Sequence, residues 1–207
     1  VDGYNVKNSR TPSKTSIKVT KAWEDKNDQD GVRPNSVTIK LLADGVETGK
    51  KLVLTKANNW TGSFTDLDEY KAGKKIVYTI KEETVGNGYI SVVTKTGENT
   101  FIVTNTREPE KTFVEGTKTW NDKDNQDGKR PTKIKVKLLK QVENETPIVV
   151  ETKEVSKGTD GKWKYEFKDL PKYEKGKLIK YSIDEEEVTG YTCGYLFNVF
   201  SILLEQK

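Results

Sequence analysis

Three polar residues stand where an alternating strand pattern places core residues. On a strand, side chains two positions apart share one face of the sheet. In the segment IKVTKAW, Lys21 shares its face with an isoleucine, a valine and a tryptophan. Glu82 in IVYTIKE and Asn105 in FIVTN are likewise the last residues on strand faces whose other residues are apolar. The sequence therefore predicts a lysine, a carboxylic acid and a carboxamide at core positions of three strands.

Burial would give these three groups a definite chemistry. Removal from water disfavours the charged form of an amine and of an acid, so Lys21 can present a neutral amine and Glu82 a protonated carboxyl group. A lone buried charge is very costly, so it must be paired or neutralised. The alternative interpretation is that each side chain lies at a strand end and extends into water.

An internal repeat reproduces part of this arrangement. The segment TKAWEDKNDQDGVRP returns as TKTWNDKDNQDGKRP, with 120 − 23 = 97 residues between Trp23 and Trp120. In the second copy, Lys118 and Glu185 take the positions of the lysine and the acid. No asparagine takes the third position, so the second copy carries only two of the three groups.

Short alternating runs separated by Gly, Asp, Asn and Pro make up each copy. In the first copy such runs are Ser16–Trp23, Ser36–Leu42, Lys51–Leu54, Trp60–Thr65, Lys75–Glu82 and Thr100–Thr106. Strands of this length with turn signals between them are typical of a β-sandwich, and a repeat of this length is a usual size for one domain. We therefore predict an all-β fold of tandem immunoglobulin-like sandwiches.

The repeat also predicts the domain boundaries. Residues 14–107 are expected to form the first domain and residues 108–207 the second. The second copy departs from the first after Tyr191, which predicts a truncated or aberrant last strand there. Residues 1–13 share with FIVTNTREP the pattern of a strand followed by Asn, Arg and Pro. We expect them to be the last strand of an upstream repeat plus a linker.

Composition argues against several classes of function. The chain has no histidine, which removes Ser-His-Asp and Cys-His catalysis, and its single cysteine, Cys193, excludes an intrachain disulfide. The net charge of +4 comes from interleaved signs, so no basic stripe indicates nucleic-acid binding. The apolar run Leu196–Leu204 is shorter than the ~20 residues of a membrane-spanning helix, so no membrane insertion is expected.

The two Asp-rich segments DKNDQDG and DKDNQDG resemble a calcium-binding loop only in part. Lys26 stands where the first acidic ligand is required, and Val37 stands where the loop ends in glutamate. We interpret both segments as turns that lead into a strand, while weak calcium binding at the surface stays open. No metal or other cofactor is expected.

Six motifs of the first copy together carry a family resemblance. VTKAW, DQDGVRP, FTDLDEY, YTIKEE, NGY and FIVTNT, in this order, resemble the Cna B-type domain of Gram-positive adhesins and pilins. The resemblance covers about Lys14–Arg107 and, in the second copy, about Lys111–Tyr191. In that family, a lysine of the first strand and an asparagine of the last strand join in a spontaneous isopeptide bond, assisted by a neighbouring acid. The resemblance assigns these roles to Lys21, Asn105 and Glu82.

The resemblance implies a structural function for the chain. It implies stalk or spacer repeats of an extracellular, cell-wall-anchored surface protein, and no enzyme acting on an outside substrate. Implied partners are the neighbouring repeats of the same chain and, through the parent protein, host extracellular matrix. No sortase motif of LPxTG type occurs in the sequence, so the cell-wall anchor rests on the resemblance. A ligand-binding adhesin module for matrix or glycan, and an accessory domain of a secreted hydrolase, remain alternatives.

The second copy lacks an asparagine at the expected distance. Asn198 follows the tyrosine of TGY by 198 − 191 = 7 residues, whereas 105 − 89 = 16 residues separate the matching tyrosine from Asn105. We therefore expect Lys118 and Glu185 to form no isopeptide bond within the chain. Asn8 in NVKN takes the position of the asparagine in IVTN, so the N-terminal strand of another molecule can complete the second copy. A monomer is expected, with this strand exchange as the alternative.

Overall fold

The computed structural model describes residues 3–194, and the chain divides into two compact units, Val1–Glu110 and Lys111–Lys207. Both units consist of strands joined by turns, with a single short 3-10 helix, Lys56–Asn58, in the described part. The strands of the first unit are β1 (Lys14–Glu24), β2 (Ser36–Ala43), β3 (Val46–Thr55), β4 (Thr61–Asp68), β5 (Tyr70–Lys71), β6 (Lys74–Lys75), β7 (Tyr78–Glu82), β8 (Ile90–Gly97) and β9 (Thr100–Thr106). The predicted all-β fold is confirmed.

Two sheets form the sandwich of the first unit. One has the strand order β4-β1-β9-β8 and the other the order β3-β2-β7, while β5 and β6 form a separate hairpin. The pairs β1–β4 and β8–β9 are antiparallel, but β1 and β9 are parallel neighbours. The first and last strands of the unit therefore lie side by side and run in the same direction.

The core of the first unit lies between these two sheets. Alternate residues of each strand enter it, because successive side chains of a strand point to opposite faces. Its fully or nearly fully buried members include Ile17, Val19, Phe101 and Val103 from one sheet and Ile39, Leu41 and Ile80 from the other. This is the alternation on which the predicted core positions of Lys21, Glu82 and Asn105 depend.

The second unit repeats most of this architecture in its described residues. Its strands are β10 (Lys111–Lys118), β11 (Lys133–Val142), β12 (Ile148–Ser156), β13 (Trp163–Pro171), β14 (Tyr173–Glu174) and β15 (Lys177–Glu185). One sheet has the order β12-β11-β15-β14, and β10 pairs with β13 in the other. Within residues 111–194, no strand takes the place that β9 has beside β1. The truncated or aberrant strand predicted after Tyr191 falls largely outside the described residues.

Candidate functional site

Lys21 lies on β1 at a position where its side chain enters the core. The Lys21 Nζ atom donates hydrogen bonds to the backbone oxygens of Ala22 at 2.9 Å and Val103 at 3.1 Å. The Oε1 atom of Glu82 lies 3.6 Å from this Nζ, and both side chains are buried. Because Glu82 belongs to β7, the pair joins the two sheets of the sandwich.

An aromatic cluster closes the site over the amine. The ring of Trp23 lies with its centroid 4.2 Å from Lys21 Nζ. Trp60 and Tyr89 each make an edge contact with Trp23, at 5.1 Å between ring centroids. Burial lowers the pKa of the Lys21 amine to about 8, and the carboxyl group of Glu82 opposes this only in part. An amine with such a pKa is neutral in about a tenth of the molecules at pH 7, far more than an exposed lysine.

Asn105 lies on β9 and is completely buried. The parallel register pairs Lys21 with Val103 and Trp23 with Asn105, so Asn105 is the next residue along the face of β9 that Lys21 meets. Among the described residues, neither polar side-chain atom of Asn105 has a hydrogen-bond partner, and the same holds for both carboxyl oxygens of Glu82. A buried polar group left unpaired costs about 1–3 kcal/mol, so such a cluster calls for an explanation.

Sequence reasoning missed a second polar cluster, which lies beside Trp23. The carboxylate of Asp25 accepts hydrogen bonds from Arg33 Nε at 2.9 Å, from the Tyr89 hydroxyl at 2.7 Å and from the backbone N–H of Asp28 at 2.9 Å. The second unit repeats this cluster with Asp122, Arg130, Tyr191 and Asn125. The signal was present in the repeat, where the Asp, the Arg of DGVRP or DGKRP, and the Tyr of NGY or TGY all recur.

The Asp-rich segment forms the turn that the sequence predicted. Lys26, Asn27 and Asp28 all have positive φ, at 51°, 60° and 58°, and the Asp28 carboxylate accepts a hydrogen bond from the backbone of Arg33. Asn and Asp tolerate this left-handed region better than most residues. In residues 3–194, no group of three or more acidic or cysteine side chains is placed to hold a metal ion.

Asp30, in the same turn, anchors the chain where it leaves β9. Its carboxylate pairs with the guanidinium group of Arg107 and accepts a hydrogen bond from the backbone N–H of Glu110 at 2.8 Å. The guanidinium group also donates to the backbone oxygen of Asn87 at 2.8 Å. The matching residue of the second unit, Asp127, is exposed and makes no such contact with the described residues.

The second unit brings its lysine and acid together, with no asparagine beside them among its described residues. Lys118 Nζ lies 2.7 Å from Glu185 Oε2, and the ring of Trp120 covers the amine at 4.7 Å. The two side chains are 20% and 9% exposed, against 0% and 2% for Lys21 and Glu82. The pair is therefore formed but less enclosed than in the first unit.

The sequence offers two candidate asparagines to this second pair, Asn8 and Asn198. Asn8 lies in the segment from Gly3 to Ser13, all of whose residues are exposed and none of which belongs to a strand. Asn198 lies outside the described residues.

The tandem sandwiches and their repeated motifs define the class of protein. The sequence matches the family described as the Cna protein B-type domain twice, over residues 17–106 and 114–202. The chain belongs to the Cna B-type family, with one copy in each unit, as the resemblance predicted.

The chain is similar to two staphylococcal sequences. This chain is 46% identical over 192 residues to the collagen adhesin of Staphylococcus aureus. The match covers 93% of this chain and 16% of that protein. The solved structure of two B repeat units, B1B2, of the collagen-binding protein of Staphylococcus aureus is also 46% identical, with a TM-score of 0.76. That match covers 86% of this chain and 46% of the other. The chain thus spans less than half the length of either relative, and the likeness supports the immunoglobulin-like tandem fold.

Proposed function

We propose that this chain is a stalk segment of a Gram-positive surface protein, and that its first unit joins Lys21 to Asn105 by an isopeptide bond. The observation that supports the bond is a buried, partly neutral amine beside a buried acid, with a buried and unpaired carboxamide on the adjacent strand. An ordinary buried ion pair would explain the lysine and the acid. It would leave the unpaired polar atoms of Asn105 without a reason.

The proposed reaction balances within the protein. Lys21 Nζ attacks Cγ of the Asn105 side chain, a bond between Nζ and Cγ forms, and the bond between Cγ and Nδ2 breaks. One proton leaves Nζ and one proton is gained by the departing nitrogen, so the only by-product is ammonia. Glu82 donates a hydrogen bond that polarises the carboxamide and carries the proton from the amine to the leaving group. Folding supplies the proximity, worth ~7–11 kcal/mol of the barrier in well-oriented intramolecular reactions. The reaction occurs once per molecule, so the chain has no turnover.

The position of the bond explains how it would serve a stalk. The polypeptide enters the first unit at the start of β1 and leaves it at the end of β9. A covalent link between these parallel neighbours would carry tension directly from the entering strand to the leaving strand. The residues between Lys21 and Asn105 would then bear no load.

The location and partners of the chain follow from the same proposal. Stalk repeats act outside the cell on a cell-wall-anchored protein, where neighbouring repeats of the same chain are their immediate partners. Contact with host matrix would belong to other parts of the parent protein. In the described residues, no helix is long and apolar enough to cross a bilayer.

The intact mass of the purified chain tests the bond and the role of the acid together. We expect the chain to be lighter than its sequence by the mass of one ammonia, and the Glu82→Gln variant to have its full mass. Peptide mapping of the lighter species should recover one branched peptide that joins Lys21 to Asn105.

Glu83→Gln is the matched control, because Glu83 directly follows the last residue of β7 and its carboxylate pairs with exposed Lys51 at 2.8 Å. This variant should lose ammonia as the parent chain does. A folded parent chain of full mass would rule out the bond. Equal loss of ammonia in both variants would remove Glu82 from the mechanism.

A further inference from the structure

One hydrogen-bond donor beside Lys21 has no role in the reaction proposed above. The indole N–H of Trp23 is buried and has no hydrogen-bond partner among the described residues. An unpaired buried donor costs stability, and such groups are rare in native folds. The ring that carries it packs against the core of the first unit, and its centroid lies 4.2 Å from Lys21 Nζ. The donor therefore belongs to the same enclosed space as the reacting amine.

The register of the two parallel strands places this donor beside Asn105. Trp23 on β1 is the direct partner of Asn105 on β9, just beyond the pair of Lys21 and Val103. Both side chains enter the core, and neighbouring strands lie about 4.8 Å apart. The Oδ1 atom of Asn105 also has no hydrogen-bond partner among the described residues. An unpaired donor and an unpaired carbonyl oxygen thus lie on adjacent residues of one buried face.

The neighbours of the Trp23 ring fix its orientation. Trp60 and Tyr89 contact the ring edge-on, and the guanidinium carbon of Arg33 lies 5.3 Å from the ring centroid. Asp25 accepts hydrogen bonds from both Arg33 and Tyr89, so these two neighbours are themselves held in place. The N–H is therefore oriented before any reaction begins. A donor that is fixed in advance needs no reorganisation when charge develops beside it.

The proposed reaction creates negative charge on the carbonyl oxygen of Asn105. As Lys21 Nζ adds to Cγ, one electron pair of the carbonyl double bond moves onto Oδ1, and it returns when ammonia leaves. A carbonyl oxygen can accept two hydrogen bonds. Glu82 donates one of them in the mechanism above, so one lone pair of Oδ1 is left for a second donor. Catalytic hydrogen bonds are often long before the reaction and tighten only as it proceeds.

We propose that the indole N–H of Trp23 donates this second hydrogen bond to Asn105 Oδ1 as the tetrahedral intermediate forms, and keeps it to the carbonyl oxygen of the finished isopeptide bond. This inference rests on the crosslink proposed for the first unit. Trp23 then has two functions: the face of its ring shields the Lys21 amine from water, and its edge stabilises the oxyanion. A phenylalanine at this position would provide only the first function.

Removing the N–H while keeping the shape of the ring tests the proposal. The amino acid benzothienylalanine has a sulfur atom in place of the indole N–H and nearly the same size. The full chain is made by cell-free translation with a pulse of isotope-labelled amino acids, quenched in denaturant at successive times, and weighed intact. Loss of one oxyanion donor slows acyl transfer by about 10²–10³-fold. Because folding precedes the reaction and limits the rate of the parent, we expect Trp23→benzothienylalanine to lose ammonia at least about tenfold more slowly.

Trp60→benzothienylalanine is the matched control. Trp60 contacts the Trp23 ring, but it directly precedes β4, and β1 lies between β4 and β9 in the sheet. Its N–H is therefore one strand further from Asn105, and this variant should react at the parent rate. Folding is checked in the presence of Glu82→Gln, which is expected to block the reaction. There, Trp23→benzothienylalanine should not lower the melting temperature, because the N–H is unpaired before the reaction.

NMR of the crosslinked parent measures the hydrogen bond itself and does not depend on how a variant folds. We expect a scalar coupling across the hydrogen bond, between the indole nitrogen of Trp23 and the carbonyl carbon derived from Asn105 Cγ. A coupling to the carboxyl carbon of Glu82 instead would overturn the proposal. So would the absence of any coupling at Trp23 in spectra that show couplings across the backbone hydrogen bonds between β1 and β9.

The mass measurements separate this role of Trp23 from the crosslink on which it rests. A folded parent chain of full mass contradicts both proposals. A parent that loses one ammonia, with Trp23→benzothienylalanine reacting at the same rate, leaves the crosslink in place and removes only the indole N–H from the mechanism.

Discussion

At the scale of single residues, the site combines groups that a stable core would normally exclude. Lys21, Glu82 and Asn105 are buried in a core of apolar side chains, and the last two keep unpaired polar atoms among the described residues. Burial lowers the pKa of Lys21, which makes the amine more reactive and weakens its ion pair. The arrangement is therefore better suited to a reaction that removes the charge than to a permanent salt bridge.

Asp25 provides a prediction about acid stability. Burial opposes ionisation of this carboxyl group, but the hydrogen bonds from Arg33, Asp28 and Tyr89 outweigh it and hold the pKa of Asp25 at about 2. Because the folded pKa lies below the ordinary value of 3.8, the stabilisation is complete above pH ~4 and is lost as the pH falls towards 2. We expect a contribution of about 2 kcal/mol to unfolding free energy over that interval.

Urea unfolding at successive pH values measures this contribution. Asp25→Asn should be less stable than the parent at pH 6, and the difference should shrink as the pH approaches 2. Asp66→Asn is the control, since the Asp66 side chain is 82% exposed and should follow the parent at every pH. A difference between Asp25→Asn and the parent that does not change with pH would contradict the assigned cause.

At the scale of strands, the matching residue pairs of the two units carry their glycine on opposite strands. In the first unit, buried Val19 on β1 pairs with Gly62 on β4. In the second unit, Gly116 on β10 pairs with Tyr165 on β13. A Cβ atom on Gly116 would lie 2.2 Å from the Tyr165 hydroxyl oxygen, so the tyrosine requires the glycine. The large and small residues have exchanged strands while the pair has kept one large and one small member.

This exchange predicts strong coupling between Gly116 and Tyr165. Gly116→Val alone should destabilise the second unit by about 1–3 kcal/mol, because the tyrosine has to leave its place. Adding Tyr165→Gly should recover part of that loss, since it recreates the Val–Gly pair of the first unit. A double-mutant cycle from denaturant unfolding should give a coupling energy above ~1 kcal/mol, whereas additive effects would show that the two side chains do not share the space.

At the scale of the whole molecule, a crosslink between first and last strands changes the response to force. The proposed bond bridges 105 − 21 = 84 residue-to-residue steps, which a pull on the chain ends could not extend. At about 3.4 Å per residue, this segment corresponds to roughly 28 nm of contour length. A stalk with such a bond keeps its length under load.

Single-molecule extension of the chain measures directly how much contour length is released when the first unit unfolds. In the parent chain, unfolding of the first unit should release almost no length. In the Asn105→Ala variant, it should release roughly 28 nm more, because the whole segment becomes extensible. Glu83→Gln, which is expected to retain the bond, serves as the control. An unfolding step of full length in the parent would contradict the proposed load path.

The sequence predicted the strand segments and the core positions from local patterns. The period of two is a property of every strand, so it identified the inward positions of Lys21, Glu82 and Asn105 before any pairing was known. Strand β8, Ile90–Gly97, was not among the predicted runs, because all its residues are exposed and its sequence has no buried alternation. The repeat revealed that Lys118 and Glu185 are equivalent to the first pair.

By itself, the sequence determined which residues face the core, where the repeat begins again and which family the motifs belong to. Only the tertiary structure decided that β1 and β9 are parallel neighbours, and that Glu82 reaches Lys21 from the other sheet. It also assembled Asp25, Arg33 and Tyr89 from distant positions in the chain. The physical reason is that side-chain direction follows from local backbone geometry, whereas strand neighbours depend on which faces are buried together across the whole domain.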